Sequence, residues 1–339
     1  MKNTLISKTI KGVSLAIATS ALSLSAMAAD INPAVVYSDA GKFDKSFSEA
    51  VWNNGVKRFM DETGIEVKEA EPTNLAQVEQ YLKRLAKRGH SPIVAVGFSQ
   101  TNAVLAAAQE YPDTQFTLID GWAPEPNVQN VGFKEHEGSF LVGVLAAMKS
   151  ESGVLGFVGG MDIPLISAFG CGYEQGAKYQ NADIKVIQNM TGSTPAAFGN
   201  PSKGAELTRS QMESGADVIF AAAGGTGTGV YQAAADAGKY AIGVDSNQNH
   251  LHPGTMLTSM VKRVGEATYL SYTSAMENNW QAGPVTLGLA EGGVDWALDE
   301  HNRPLITSQM EARVNDIKAK IIAGDIVVHD YRTDNACTY

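Results

Sequence analysis

Short apolar runs rich in β-branched residues alternate along this chain with longer stretches whose apolar positions recur every three to four residues. Ala34-Val35-Val36-Tyr37 is such a run; it ends at Ser38-Asp39-Ala40-Gly41 and reads as a strand feeding a loop. Phe47, Val51, Val56, Phe59 and Met60 then share one helical face, and Gly64 closes that helix. The same rhythm predicts strands at 65–67, 93–96, 116–119 and 131–133, with helices at 76–87, 101–109 and 137–148. A second round follows, with strands at 154–158, 184–187, 218–222 and 241–244 and helices at 166–179, 203–214 and 229–237. Beyond residue 255 the pattern loosens into a strand at 256–261, a helix at 266–277, a strand at 285–289 and a helix at 308–323.

Strands alternating with helices of this length predict α/β lobes, each a doubly wound parallel sheet with helices on both faces. Two rounds predict two lobes. Lobe 1 is expected to hold residues 29–151 and 258–283, and lobe 2 residues 152–257 and 284–339. No low-complexity linker separates them, which favours lobes lying side by side and joined by several chain crossings.

The first 28 residues stand outside this pattern. Lys2, Lys8 and Lys11 precede an apolar stretch from Val13 to Leu24, and Ala26-Met27-Ala28 supplies small residues for cleavage. This predicts a Sec-type signal peptide over residues 1–28 and an exported chain. The apolar stretch is shorter than the roughly 20 residues a spanning helix needs, and no cysteine at the cleavage site offers a lipid anchor. With the three leader lysines set aside, 23 basic residues face 36 acidic ones, a formal charge of −13. That balance argues against a nucleic-acid partner, because phosphate binding rests on Lys and Arg. A freely diffusing monomer is expected. The two cysteines, Cys171 and Cys337, are permitted to pair in an oxidising compartment, and spacing alone leaves that open.

Ligands of open α/β sheets bind beyond the carboxyl ends of the strands. At those ends the sequence places three aspartates (Asp39, Asp120 and Asp245) and, in the adjoining loops, Phe47, Phe98 and Phe198. Carboxylates accept hydrogen bonds from hydroxyls and aromatic faces stack on flat rings, so the set suits a flat, polyhydroxylated ligand. Phe47 and Phe98 suit core positions at helix starts equally well, and Asp44 is placed to cap the helix that opens at Phe47. The turn Gly224-Gly225-Thr226-Gly227 lacks the Gly-Lys-Ser/Thr of a phosphate loop. No Gly-x-Ser-x-Gly elbow or His-Glu-x-x-His helix occurs, and no metal-ligand spacing is evident, so neither catalysis nor a cofactor is expected.

Several longer segments resemble the basic membrane protein family of ABC-transporter solute-binding proteins, which includes bacterial purine nucleoside receptors. They are Asp39-x-Gly41 with Asp44-Lys45-Ser46-Phe47, the run from Phe133 to Gly143, and the run from Gly156 to Pro164. Ala223 to Gly227, Ile242 to Asp245 and Thr258 to Arg263 complete the likeness in the same order. The resemblance implies a type I periplasmic binding protein whose lobes, hinged by three crossovers, close over a purine nucleoside such as adenosine, guanosine or inosine. It implies Phe47 and Phe198 stacking on the base and Asp245 and Lys262 holding the sugar. Asp39, Asp120 and the turn of Gly224, Gly225 and Thr226 would contact base or ribose. The implied partner is an inner-membrane ABC permease and the implied location is the periplasm. Alternatives are a free nucleobase or another flat or sugar-like solute as ligand, or a sensor that presents its ligand to a receptor.

Overall fold

A computed structural model describes residues 30–38 and 40–338. The leader and Asp39 lie outside the described residues. In chain order the strands are β1 (Ala34–Val36), β2 (Lys68–Ala70), β3 (Ile93–Val96), β4 (Phe116–Ile119), β5 (Val128–Phe133) and β6 (Val154–Met161). They continue with β7 (Lys185–Gly192), β8 (Val218–Ala222), β9 (Tyr240–Asp245), β10 (Met256–Lys262), β11 (Gly283–Leu287) and β12 (Val294–Trp296). The helices are α1 (Phe47–Val51), α2 (Lys57–Thr63), α3 (Leu75–Lys87), α4 (Thr101–Glu110) and α5 (Glu135–Lys149). After them come α6 (Pro164–Gln180), α7 (Pro201–Glu213), α8 (Gly227–Asp236), α9 (Val264–Met276) and α10 (Ser308–Ala323). A π-helical turn at Trp52–Val56 joins α1 to α2, so the expected helix runs through from Phe47 to Thr63.

Two six-stranded sheets result, ordered β2-β1-β3-β4-β5-β11 and β7-β6-β8-β9-β10-β12. All pairings are parallel except β10 with β12. The central strands β1, β3, β4 and β8 are buried along their whole length, as strands covered on both faces by helices must be. One hydrophobic core runs continuously from the α1–α2 face of the first sheet to the α5–α6 face of the second, and each sheet has a separate core on its other face. The chain passes between sheets three times: after β5, after β10 and after β11.

The observed boundaries differ from the expected ones at all three passages, by a helix at the first and by strands at the other two. Helix α5 packs on α6, α10, β10 and β12, so the chain leaves the first sheet near residue 134 rather than 151. Strand β10 continues the second sheet to Lys262, beside β9, and β11 returns to the first sheet beside β5. Pairing with a neighbouring strand decides membership here, and the hydrophobic period of a strand does not reveal its neighbour. The second strand was expected at 65–67; the sheet pairs Lys68–Ala70 with β1 instead, and Val67 is buried beside it. This is an edge strand with a polar sequence, and β12, also at an edge, carries no apolar run to announce it.

Candidate functional site

In the first sheet the strand order reverses between β1 and β3, and in the second between β6 and β8. A crevice opens beyond the carboxyl ends of the strands at such reversals. The two crevices face one another as a single cleft of about 720 Å³, counted out to its open mouth. From the first lobe it is lined by Ser38 past β1, Gly97, Phe98 and Ser99 past β3, Asp120 past β4, and Phe47 at the start of α1. From the second lobe come Phe169 of α6, Phe198, Gly224, Asp245 and Lys262.

Local backbone explains how these side chains reach the cleft. Gly97 has φ +109° and carries the chain off β3 into the turn bearing Phe98. Asp120 and Asp245 hold φ of 64° and 65°, an uncommon conformation for a residue with a β-carbon, and both are at strand ends with buried side chains. The Phe198 ring lies against the backbone of Gly160, where an added Cβ would sit 2.3 Å from it. The Asp44 carboxylate accepts from the backbone N–H groups of Ser46, Ser48 and Glu49 and so caps α1, as its spacing from Phe47 predicts.

The polar pole of the cleft is a buried charge cluster. Lys262 Nζ is 2.6 Å from Asp120 Oδ2 and 3.0 Å from Glu135 Oε1, and it also lies 5.5 Å from the Phe47 ring centre. Burial pulls the ammonium down, but Asp120, Glu135 and Asp245 outweigh it and hold it above the usual lysine range. The second oxygen of Asp120, Oδ1, is buried with no hydrogen-bond partner among the described residues. Asp245 Oδ2 accepts a 2.5 Å hydrogen bond from the Ser46 hydroxyl of the other lobe. Burial pushes the Asp245 carboxyl up to about 7, with Lys262 and the Ser46 hydroxyl pulling against it.

The apolar pole is aromatic. Phe98 and Phe198, from opposite lobes, meet edge to face with ring centres 6.2 Å apart. Gln248 Nε2 of the second lobe donates to Lys45 O of the first at 2.6 Å, so the lobes touch directly around the cleft. The arrangement offers one cationic donor, an unpartnered carboxylate oxygen on Asp120 and ring faces, a combination suited to a flat ring carrying hydroxyls.

Of the residues singled out in the sequence, Phe47, Phe98, Asp120, Phe198, Gly224, Asp245 and Lys262 are gathered in this cleft. Gly225 and Thr226 are behind its wall. Gly225 sits beside the Asp44 backbone, and the Thr226 hydroxyl is committed to Ala197 O and Asn200 N, bracing the loop that carries Phe198. Sequence reasoning missed Ser46, Glu135 and Phe169 as site residues. Glu135 had a signal, since it stands two residues past a strand within one of the family-like segments. The one group of metal-type donors among the described residues, Asp299, Glu300 and His301, does not line the cleft.

Comparison with known proteins agrees with this architecture. Residues 31–332 match the family Bmp, described as ABC transporter substrate-binding protein PnrA-like. Basic membrane protein A of Borreliella afzelii is 32% identical over 293 residues, covering 84% of this chain and 87% of that protein. An uncharacterised lipoprotein of Pyrococcus furiosus is 33% identical over 286 residues, covering 79% and 71% respectively. The crystal structure of an ABC transporter system solute-binding protein from Aeropyrum pernix superposes with a TM-score of 0.79 at 28% identity, covering 88% of this chain and 94% of that one. The two-lobed, three-crossing fold is that of a type I periplasmic binding protein, and the chain belongs to the Bmp family of ABC transporter substrate-binding proteins.

Proposed function

We propose that this protein binds a purine nucleoside between its lobes and delivers it to an ABC permease. One observation carries the reading: the cleft has two unlike poles in contact. Rings from both lobes (Phe47, Phe98 and Phe198) line one part, while Lys262 with the Asp120 and Asp245 carboxylates forms the other. A purine matches the first pole and a ribose the second. Hydrogen bonds from ribose hydroxyls to a charged carboxylate contribute about 1.5–3 kcal/mol each. The leader-like residues 1–28 support a place outside the cytoplasmic membrane, and no helix among the described residues is long and apolar enough to cross a membrane.

Mass spectrometry of small molecules released by denaturing the purified protein is the direct test, with a nucleoside as the expected finding. A melting screen complements it: a ligand binding only the folded state adds roughly 2.7 kcal/mol at a hundredfold excess over its dissociation constant. Adenosine, guanosine and inosine all leaving the midpoint unmoved would defeat the reading. Greater stabilisation by free bases would replace nucleoside with nucleobase.

A further inference from the structure

The C-terminal segment is not an idle tail. Cys337 is disulfide-bonded to Cys171 in α6, with Cα atoms 5.3 Å apart, which settles the pairing the sequence left open. Upstream, the Gln175 side chain of α6 donates to His329 O and accepts from His329 N, each at 2.9 Å. Between these two attachments lies Arg332, beside the first passage of the chain between lobes. Its Nη2 donates to Phe133 O at 2.9 Å, at the last residue of β5 in the first sheet. Its Nη1 is 2.9 Å from Glu135 Oε2, at the first residue of α5 in the second lobe. The guanidinium is oriented by a two-pronged pairing with Asp330 at 2.9–3.1 Å.

Glu135 is fully buried and shares its two oxygens between Arg332 and Lys262. A buried carboxylate deprived of one of two cationic partners is left under-compensated and strongly destabilising. The planar fork of an arginine can grip a carboxylate and a carbonyl together, which a lysine cannot.

We propose that Arg332, strapped to α6 by the Cys171–Cys337 disulfide, is a positioning residue of the binding site. It fixes Glu135 across the hinge, and Glu135 in turn aims the Lys262 ammonium into the cleft. The role in ligand binding rests on the function proposed above. The coupling of Arg332, Glu135 and Lys262 does not.

The test is a double-mutant cycle on the full chain: wild type, Arg332→Met, Glu135→Gln and the double variant. Each is read by ligand-free melting and by inosine titration calorimetry. Arg332→Met is expected to lower the melting midpoint by several degrees and to weaken inosine at least tenfold. Glu135→Gln added to Arg332→Met is expected to recover much of the lost stability, because it removes the uncompensated charge, without recovering affinity. Arg332→Lys is expected to keep more stability than Arg332→Met while still weakening inosine. Strictly additive changes in the ligand-free midpoint would overturn the coupling. Coupling in the midpoint with unchanged inosine affinity in Arg332→Met would overturn the positioning role. If wild type does not bind inosine, the titrations use adenosine or guanosine instead; if it binds none of the three, the nucleoside reading falls, and the ligand-free cycle still decides the coupling. Should Arg332→Met fail to fold, the pair Cys171→Ala with Cys337→Ser releases the strap instead, and weaker inosine binding with a lower midpoint is expected. An unaltered midpoint and affinity there would count against the strap.

Discussion

Asp120 and Asp245 occupy matching places in the two lobes. Each stands at the carboxyl end of a strand, each has the same left-handed backbone, and each is buried beside Lys262. Their partners differ. Asp120 has the Lys262 ammonium at 2.6 Å and Asp245 the Ser46 hydroxyl at 2.5 Å, each supplied by the opposite lobe. A full opposite charge at contact compensates burial better than a hydroxyl does. The lesson is that a repeated framework can bring one carboxylate a full opposite charge across the cleft and the other only a hydroxyl. On the function proposed above, a ligand then has more to offer the second.

The largest effect is expected from removing the ammonium. Lys262→Met strands Asp120 and Glu135, and breaking a buried pair on one side costs about 3–5 kcal/mol. The ligand-free melting midpoint is expected to fall by many degrees and to rise again in part when Asp120→Asn is added. A midpoint that stays put would show that Lys262 is not what holds Asp120.

Asp245→Ala should instead act chiefly on ligand. Loss of an acceptor for ribose hydroxyls, at about 1.5–3 kcal/mol, predicts tenfold or weaker nucleoside binding with free-base binding spared. Phe47→Ala, at about 1–3 kcal/mol for a lost ring stack, should weaken nucleosides and bases alike. Calorimetry on both variants separates the two; unchanged affinity in both, with lowered ligand-free midpoints, would reassign them as a strained turn and a core residue.

The comparison also predicts a pH dependence. With its carboxyl at about 7 in the folded protein and near 3.8 when unfolded, Asp245 binds more protons folded than unfolded across that interval. Its contribution to stability is therefore complete at the acid side and is lost as pH rises toward and through about 7. Wild type is expected to show a fall in ligand-free midpoint between about pH 4 and 7, and Asp245→Asn to flatten it. Hydroxyl donors favour the ionised form, so nucleoside binding at pH 7 should release protons, read as a calorimetric heat that varies with buffer ionisation enthalpy. No such variation would mean Asp245 is already ionised.

The smallest effect is expected from Ser46→Ala, which removes one hydroxyl that joins the lobes. A loss of about 1 kcal/mol in apparent affinity, as fewer molecules occupy the closed form, is the expected result. Small-angle scattering of the ligand-free protein should show a larger average radius.

Much of this was legible from residue order. The strands at 116–119 and 218–222 and the helix at 308–323 coincide with their apolar patterns, because each is packed by neighbours that reward that pattern. Strand ends could be searched for chemistry for the same reason, which is how Asp120, Asp245 and Phe98 came to notice, whereas Lys262 entered only through the family resemblance. Residues whose role depends on a distant partner stayed hidden. Glu135 sits in a family-like segment just past a strand, yet its role shows only when Arg332, nearly two hundred residues later, is seen against it. Thr226 reads as part of a ligand cradle until its hydroxyl is found bracing the Phe198 loop. The second and third passages between lobes were misplaced because pairing with a neighbouring strand, not local composition, assigns β10 and β11.

The three passages between sheets also constrain how the molecule can be made. The edge of the first sheet is finished by β11, with Gly283 paired to Gln129, so it cannot close until almost the whole second lobe has been synthesised. During that interval β5 presents an unpaired strand edge to whatever is nearby. Such late, non-local pairing slows folding and prolongs exposure of sticky intermediates. A cell producing this chain therefore has reason to keep it unfolded, or chaperoned, until its last sixty or so residues are available.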